Sequence, residues 1–316
     1  MPVPPARRRR GPRKRGGPGP FSPGWLLLLV WPLVAQAPPK PAPQTVGSEI
    51  CQACHEDIYK AFQQTSHALV EKDRRHGWQG KACESCHGPG SAHAESGSAA
   101  DIRNFAKLAP AEADRICLTC HLNQPTQVGR IHGGHARGQV ACVSCHSIHK
   151  PRAETVTSAK AALINKNCAG CHLSSWAEFQ KPHRHRLPEG AMSCVDCHNP
   201  HGSLLPRSLQ TVSANEPGCL KCHGDKRGPF PFEHAAVRVE GCTACHQPHG
   251  SANPRMLTRH EVRFLCLECH SNLPVVAAGP GGVPPAFHDL RSPRFRNCTT
   301  CHIKIHGSYV DRAFLR

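Results

Sequence analysis

Residues 242–254 read CTACHQPHGSANP, and residues 194–206 read CVDCHNPHGSLLP. Each stretch has two cysteines separated by two residues and a histidine directly after the second cysteine. A further histidine follows three residues later. Because the whole arrangement recurs at a distance, it indicates one structural unit used more than once.

The C-x-x-C-H pattern occurs ten times and accounts for all 20 cysteines of the chain. A disulfide framework would not need a histidine after each pair, and a thioredoxin-like redox site would have a single C-x-x-C. A zinc site needs four ligands, so ligands from different Cys2His sets would have to combine around each zinc ion. The probability that a histidine follows all ten cysteine pairs by chance is on the order of 10^-11. The C-x-x-C-H motif therefore predicts covalent haem c at every pair.

The spacing fits the attachment chemistry of haem c. Two thiols add to the two vinyl groups at one edge of the porphyrin, and the next imidazole becomes the proximal iron ligand. The predicted attachment residues are Cys51, Cys54, Cys83, Cys86, Cys117, Cys120, Cys142, Cys145, Cys168, Cys171, Cys194, Cys197, Cys219, Cys222, Cys242, Cys245, Cys266, Cys269, Cys298 and Cys301. The predicted proximal ligands are His55, His87, His121, His146, His172, His198, His223, His246, His270 and His302.

Histidines outside the motifs recur with a two-haem period. Each module contains one histidine between its two motifs and one shortly after the second motif. The predicted distal iron ligands are His67, His93, His135, His149, His185, His201, His234, His249, His288 and His306. His132 and His183 are alternatives to His135 and His185, and spacing alone favours His76 over His67. His260 has no place in the pattern.

A trailing histidine must serve a neighbouring haem. Three extended residues span about 10 Å, which is too short to pass around the porphyrin to its other face. A hydrogen bond to a propionate is the alternative role for His201 and His249. Because Met192 and Met256 are the only methionines after the initiator, methionine ligation is closed to most haems. Bis-histidine ligation and low reduction potentials are therefore expected.

Composition predicts a chain without a conventional core. Glycine and proline contribute 27 and 30 residues, and aromatic residues only 5%. We expect a multihaem cytochrome c fold of mostly irregular coil with short α-helices, little or no β-structure, and an elongated array of five self-sufficient di-haem modules. The modules cover about 48–110, 111–155, 156–210, 211–258 and 259–316. Helices are expected at 56–64, 110–120 and 158–171, the last capped by Ser158, with a loop at 278–286.

Residues 1–37 have the pattern of a signal peptide. A basic segment precedes the apolar run Trp25–Val34 and the A-x-A site at 35–37. Pro38 disfavours cleavage there, so an uncleaved anchor is the alternative. Residues 38–47 read as a Pro-rich linker. Since haem is attached after translocation, export of an unfolded chain to the periplasm is expected.

The net charge does not indicate nucleic-acid binding. The formal charge is +17, of which seven positive charges lie within residues 1–37. Twenty haem propionates, offset by ten ferric centres, would bring the remainder close to zero. The lysines and arginines are better explained as partners of propionates and of an acidic protein surface.

Several segments resemble the DmsE/MtrA family of periplasmic decahaem c-type cytochromes. They are CQACHEDIYKAFQQTSHA (51–68), CESCHGPGSAH (83–93), the two CHxPHG repeats (197–202 and 245–250) and CTTCHIKIHGSYVDRAFLR (298–316). The resemblance covers about residues 48–316. It favours His67 over His76, because Tyr59, Ser66 and His67 match the family's pattern after the first motif. The loop 278–286 departs from that pattern.

The resemblance implies an electron conduit with ten haem c. The partners would be an outer-membrane β-barrel porin, a periplasmic or inner-membrane cytochrome or quinol-oxidase-type donor, and an outer-surface cytochrome or reductase. Nine gaps of about 5 Å between stacked rings give about 45 Å, comparable to a bilayer with its headgroups. The alternatives are a multihaem terminal reductase with an open iron site and a self-assembling cytochrome filament.

Overall fold

The computed structural model describes residues 41–127, 129–150, 157–213, 216–270 and 293–316. Apart from the first two of these residues, they belong to one unit, Pro43–Arg316. The predicted signal peptide, the start of the linker, His288 and the loop 278–286 lie outside the described residues.

Short helices are the main regular elements of the described ranges. They are α1 Ser48–Cys54, α2 Glu56–Gln63, α3 Ala82–His87, α4 Ser91–Ser96, α5 Pro110–His121, α6 Gly134–Arg137, α7 Thr157–Ala169, α8 Leu173–Glu178, α9 Cys194–Cys197, α10 Ala235–Val239 and α11 Val262–Leu267. Strands β1 Thr211–Ser213 and β2 Glu216–Pro217 form one antiparallel pair. No helix in these ranges is both long and apolar enough to cross a bilayer.

The three predicted helices are present. Helix α5 has Pro110 in its first turn, where a missing N–H costs no hydrogen bond. Helix α2 ends within one residue of the predicted boundary. Helix α7 begins at Thr157, so Ser158 is its second residue and the predicted serine cap is wrong.

Side chains alone do not build an ordinary hydrophobic core in this fold. The buried apolar residues of the described ranges are mostly alanines, with Phe62, Phe179 and Leu187 as the large members. Meanwhile Leu69 is 70% exposed and Leu204 is 82% exposed. Burial of apolar area normally supplies most of the folding free energy. Large apolar side chains of the described residues therefore remain exposed and are not covered by other parts of the chain.

Glycines that follow trailing histidines let neighbouring repeats touch. A Cβ atom on Gly202 (φ 97°) would lie 2.3 Å from the carbonyl oxygen of Gly129. A Cβ atom on Gly250 (φ 146°) would lie 2.3 Å from the carbonyl oxygen of Glu178. Only glycine fits both this backbone conformation and this close approach. The His-Gly dipeptide thereby brings its imidazole onto the preceding repeat.

Candidate haem sites

Each motif folds into one helical turn. The backbone N–H of the motif histidine donates to the carbonyl oxygen of the first cysteine, as between His246 and Cys242 at 3.0 Å. Residues four apart lie on the same face of a turn. The first thiol and the imidazole therefore share one side, as attachment to one porphyrin requires. All twenty cysteines are free thiols that are at least partly exposed.

Within the described ranges, nine motif histidines each lie beside one histidine from outside the motifs. The distances between ring centroids are 5.8–6.2 Å. The pairs are His55–His93, His67–His121, His87–His149, His135–His172, His146–His201, His185–His223, His198–His249, His234–His270 and His246–His306.

These distances leave room for one metal ion between the rings. Two metal–imidazole bonds of about 2.0–2.1 Å, plus about 1.1 Å from each nitrogen to its ring centre, place collinear centroids about 6.2–6.4 Å apart. Ordinary contacts between aromatic rings also fall at 4.5–7 Å. Contact alone, however, does not explain why each of these nine pairs joins a motif histidine to a non-motif histidine.

The ring pairs cross the boundaries of the sequence repeat. His135, the histidine between the motifs of the second module, lies beside His172 of the third module. His201, which trails the third module, lies beside His146 of the second. The same exchange joins the other adjacent modules, and within the first module His93 lies beside His55. The expectation of self-sufficient modules is therefore wrong for the placement of imidazoles.

The structure separates the alternatives that spacing left open. His67, not His76, lies beside His121, whereas His76 is hydrogen-bonded to Asp73, with 2.7 Å from Nδ1 to the carboxylate. His135 and His185 lie beside motif histidines. His183 instead forms a backbone bridge with Ser251. No trailing histidine lies beside the histidine of its own motif among the described pairs.

Hydrogen bonds orient the paired imidazoles. The Nδ1–H groups of His87, His198 and His246 donate to the carbonyl oxygens of Arg103, Arg207 and Arg255, all at 2.9 Å. Since a carbonyl oxygen can only accept, Nδ1 must carry the proton. The lone pair then sits on Nε2, the atom left to bind a metal. Such bonds fix both tautomer and ring direction in metal sites.

Burial favours the neutral imidazole at several distal positions. Desolvation, with a smaller contribution from a neighbouring imidazole when that ring is protonated, lowers the pKa values of five non-motif histidines. They are His67, His149, His201, His234 and His306. A neutral imidazole is the form that binds iron, so burial favours in these rings the form that an iron ligand needs.

The first cysteines of the two motifs in each repeat are neighbours. A thiol–thiol hydrogen bond with Cys51 lowers the pKa of Cys83 to about 7, and the same contact raises the pKa of Cys51. Thiol–thiol contacts also join Cys117 to Cys142, Cys168 to Cys194, Cys219 to Cys242 and Cys266 to Cys298. Haems attached to one repeat would therefore have neighbouring edges.

Contacts also link successive repeats. Burial raises the pKa of Cys86, and the nearby thiols of Cys117 and Cys120 raise it further. Cys197 is affected in the same way by Cys219 and Cys222, and Cys245 by Cys269. At these boundaries the motifs follow one another in space in the order of the sequence.

Sequence reasoning missed a set of polar residues three positions before the first cysteine of a repeat. The carboxylate of Asp114 accepts the backbone N–H of Cys142 at 2.7 Å, and it also pairs with Arg130. Asn165, 1% exposed, accepts the N–H of Cys194 at 2.9 Å. Ser48 is in the equivalent position relative to Cys83. The fixed offset was a visible signal, and these side chains tie the second motif to the first.

Glu84 is a second residue that the motif search did not single out. It lies inside the second motif, is 1% exposed, and accepts the backbone N–H groups of Val46, Gly47 and Gly90 at 2.8–3.0 Å. A buried carboxylate needs such donors to offset its desolvation. Glu84 thereby fastens the segment before the first motif to the second motif.

Comparisons with known proteins show sequence similarity to multihaem cytochromes. The doubled CXXCH motif family matches residues 186–228 and 234–274, and the NrfB-like cytochrome c-type protein family matches residues 83–171. The multiheme cytochrome MtrA of Shewanella baltica is 34% identical over 279 residues, which cover 83% of this chain and 78% of that protein. The cytochrome c-type protein NrfB of Escherichia coli is 33% identical over 96 residues, which cover 28% of this chain and 48% of that protein.

Paired CXXCH turns with imidazoles facing their histidines define a multihaem c-type cytochrome, a haem-binding electron-transfer protein. The sequence identity with MtrA, which extends over most of both chains, defines the family more narrowly. The chain belongs to the MtrA family of multihaem cytochromes.

Proposed function

We propose that the chain binds ten haem c groups, each held by one CXXCH motif and one distal histidine. The observation that carries this proposal is the set of nine imidazole pairs at 5.8–6.2 Å. Those pairs are the proposed axial ligands, and His288, outside the described residues, is assigned to His302 by the repeat pattern. Haem held by two imidazoles supplies a one-electron carrier of low reduction potential.

The protein's role would be to conduct electrons along an elongated file of these haems. Two features support this: the first cysteines meet within each repeat, and motif cysteines meet again at several repeat boundaries. Motifs that follow one another in space keep neighbouring carriers close. Electrons could then pass from one end of the chain to the other without leaving it.

The proposed location is the periplasm, at the outer membrane and inside a β-barrel porin. An inner-membrane or periplasmic cytochrome or a quinol-oxidase-type enzyme would donate electrons. An outer-surface cytochrome, a reductase or an external acceptor would receive them. Membership of the MtrA family supports this placement, and a polar chain requires a protein sheath wherever it passes through lipid.

The imidazole pairs also favour an electron conduit over a terminal reductase or a cytochrome filament. A terminal reductase needs an iron with an open coordination position, whereas nine of the ten motif histidines, all of which lie in the described ranges, face a second imidazole. A filament that shares ligands between subunits needs unpaired imidazoles. The described pairs form inside one chain, which favours a conduit.

Holoprotein from a host that matures c-type cytochromes tests the proposal. We expect an intact mass that exceeds the polypeptide by ten haems and a spectrum of low-spin iron. Inserted with an outer-membrane β-barrel porin into liposomes that contain a reduced dye, the protein should oxidise the dye when an acceptor is added outside. Liposomes with the barrel alone are the control. A mass equal to the bare chain, or no transfer across the bilayer, would overturn the corresponding part.

A further inference from the structure

One paired imidazole bonds to a carboxylate instead of a carbonyl group. His249 lies beside His198 with a centroid distance of 6.1 Å. Its Nδ1–H donates to Oε2 of Glu178 at 3.0 Å. Glu178 is the last residue of helix α8, which directly follows the fifth motif. The contact therefore joins the ligand of one proposed haem to the segment behind another motif.

Other paired imidazoles in the described ranges use neutral acceptors. His93, His135 and His185 donate from Nδ1 to backbone carbonyl oxygens at 2.8–2.9 Å. His198, opposite His249, likewise donates to the carbonyl oxygen of Arg207. The carboxylate of Glu178 thus gives this one pair a negative charge that these others lack.

The backbone around Glu178 and His249 is held in place. The carbonyl oxygen of Glu178 packs against Gly250, where a Cβ atom would lie 2.3 Å away. The ring of Phe179, only 6% exposed, lies 5.0 Å from the imidazole of His249 between centroids. Although the Glu178 side chain is 47% exposed, these contacts fix its backbone position opposite the imidazole of His249. Among the described ion pairs, Arg184 pairs with Glu189 and not with Glu178.

A carboxylate acceptor changes what an imidazole ligand does. Hydrogen bonds to ionised acceptors are about twice as strong as neutral ones. They draw the Nδ1 proton outward and raise the basicity of Nε2. A more basic ligand favours Fe(III) over Fe(II), because second-shell hydrogen bonding and added negative charge both lower the potential of a haem.

We propose that Glu178 is a positioning residue that lowers the reduction potential of the haem attached to Cys194 and Cys197. The proposal rests on the proposed function, in which His198 and His249 bind that iron. One electron converts Fe(III) to Fe(II) and moves on to the next carrier, and no bond forms or breaks. Since the sixth of ten motifs lies mid-chain, the haem whose potential Glu178 lowers would lie inside the conduit and not at either end.

Redox titration of holoprotein variants tests this assignment. In Glu178→Gln the amide oxygen still accepts the Nδ1–H bond, but the charge is gone. We expect the midpoint potential of one haem to rise by at least about 59 mV, which corresponds to a tenfold change in the equilibrium constant of its one-electron reduction. Glu189→Gln is the matched control, since it removes the same charge from the same segment, and the described ion pair of Glu189 is with Arg184. Its titration should match the wild type.

Combining Glu178→Gln with a second substitution identifies the haem whose potential shifts. In His249→Met the haem of the sixth motif loses the imidazole to which Glu178 is hydrogen-bonded, so adding Glu178→Gln should shift its potential by much less than in the wild-type background. If Glu178→Gln is poorly produced, Glu178→Ala serves the same comparison. A Glu178→Gln titration identical to that of Glu189→Gln, with ten haems retained by mass, would overturn this inference alone. Wild-type protein without covalent haem would overturn the proposed function and this inference together.

Discussion

The side-chain oxygen of Asn165 accepts the backbone N–H of Cys194 at 2.9 Å. The amide group of the same residue donates to the carbonyl oxygens of Leu187 and Met192 at 3.0 and 2.8 Å. One buried side chain thus connects helix α7 to the turn that begins the sixth motif. Such a connection keeps the two haem-binding turns of a repeat in register.

Replacing Asn165 with alanine should destabilise the protein by at least about 2 kcal/mol, because each buried group left unsatisfied costs about 1–3 kcal/mol. Thermal unfolding of the holoprotein, followed by circular dichroism, measures the change. Asn167→Ala on the same helix is the control, since Asn167 is exposed. Equal unfolding temperatures for the two variants would show that Asn165 does not hold the repeat together.

His249→Met should raise the potential of one haem and leave all haems attached. Methionine in place of an axial histidine favours Fe(II), whereas attachment depends on the cysteines. Spectroscopic redox titration detects the change, and intact mass checks the haem content. His260→Met is the control, because His260 is exposed and none of the described imidazole pairs includes it. An unchanged titration of the His249 variant would contradict the ligand assignment.

Cys245→Ala should weaken or remove one haem attachment. The remaining thiol of that motif, Cys242, can form one thioether bond at most. Acid–acetone extraction under denaturing conditions, followed by intact mass, counts the haem that is retained. Thr243→Ala changes the same motif without removing a thiol and should keep the wild-type count. A wild-type count and absorption spectrum for Cys245→Ala would argue against covalent attachment at this motif.

Gly202→Ala should disturb the site that His201 shares with His146. The added methyl group would lie 2.3 Å from the carbonyl oxygen of Gly129, and overpacking of this kind costs about 1–3 kcal/mol. We expect a lower unfolding temperature and a high-spin signal from one haem in electron paramagnetic resonance. Gly134→Ala has open space around the new methyl group and should behave like the wild type. Matching behaviour of the two variants would contradict the prediction.

Local chemistry made the motifs readable from the sequence. A C-x-x-C-H turn is completed within five residues, so its meaning does not depend on distant parts of the chain. The helices at 56–63 and 110–121 follow from equally local signals, such as Pro110 in a first helical turn. The membership of the MtrA family was also predictable, because the number and order of motifs carried it.

The partners of individual histidines could not be derived in the same way. His135 belongs to the second module and His201 to the third, and their rings face His172 of the third module and His146 of the second. That choice depends on how Gly129 and Gly202 let two repeats approach. The contact between Glu178 and His249 depends on the same packing of distant segments. Spacing contains no information on either contact.

Exchange of imidazoles between adjacent repeats has a consequence for how such chains can change in length. Each inner repeat gives one ring to the repeat after it and one to the repeat before it. Removal of one whole inner repeat would therefore let its two neighbours supply each other, and an eight-haem protein with complete coordination should result. A deletion that cuts through a repeat would instead strand irons on both sides of the cut. Shorter and longer relatives of this cytochrome are thus expected to differ by even numbers of redox centres.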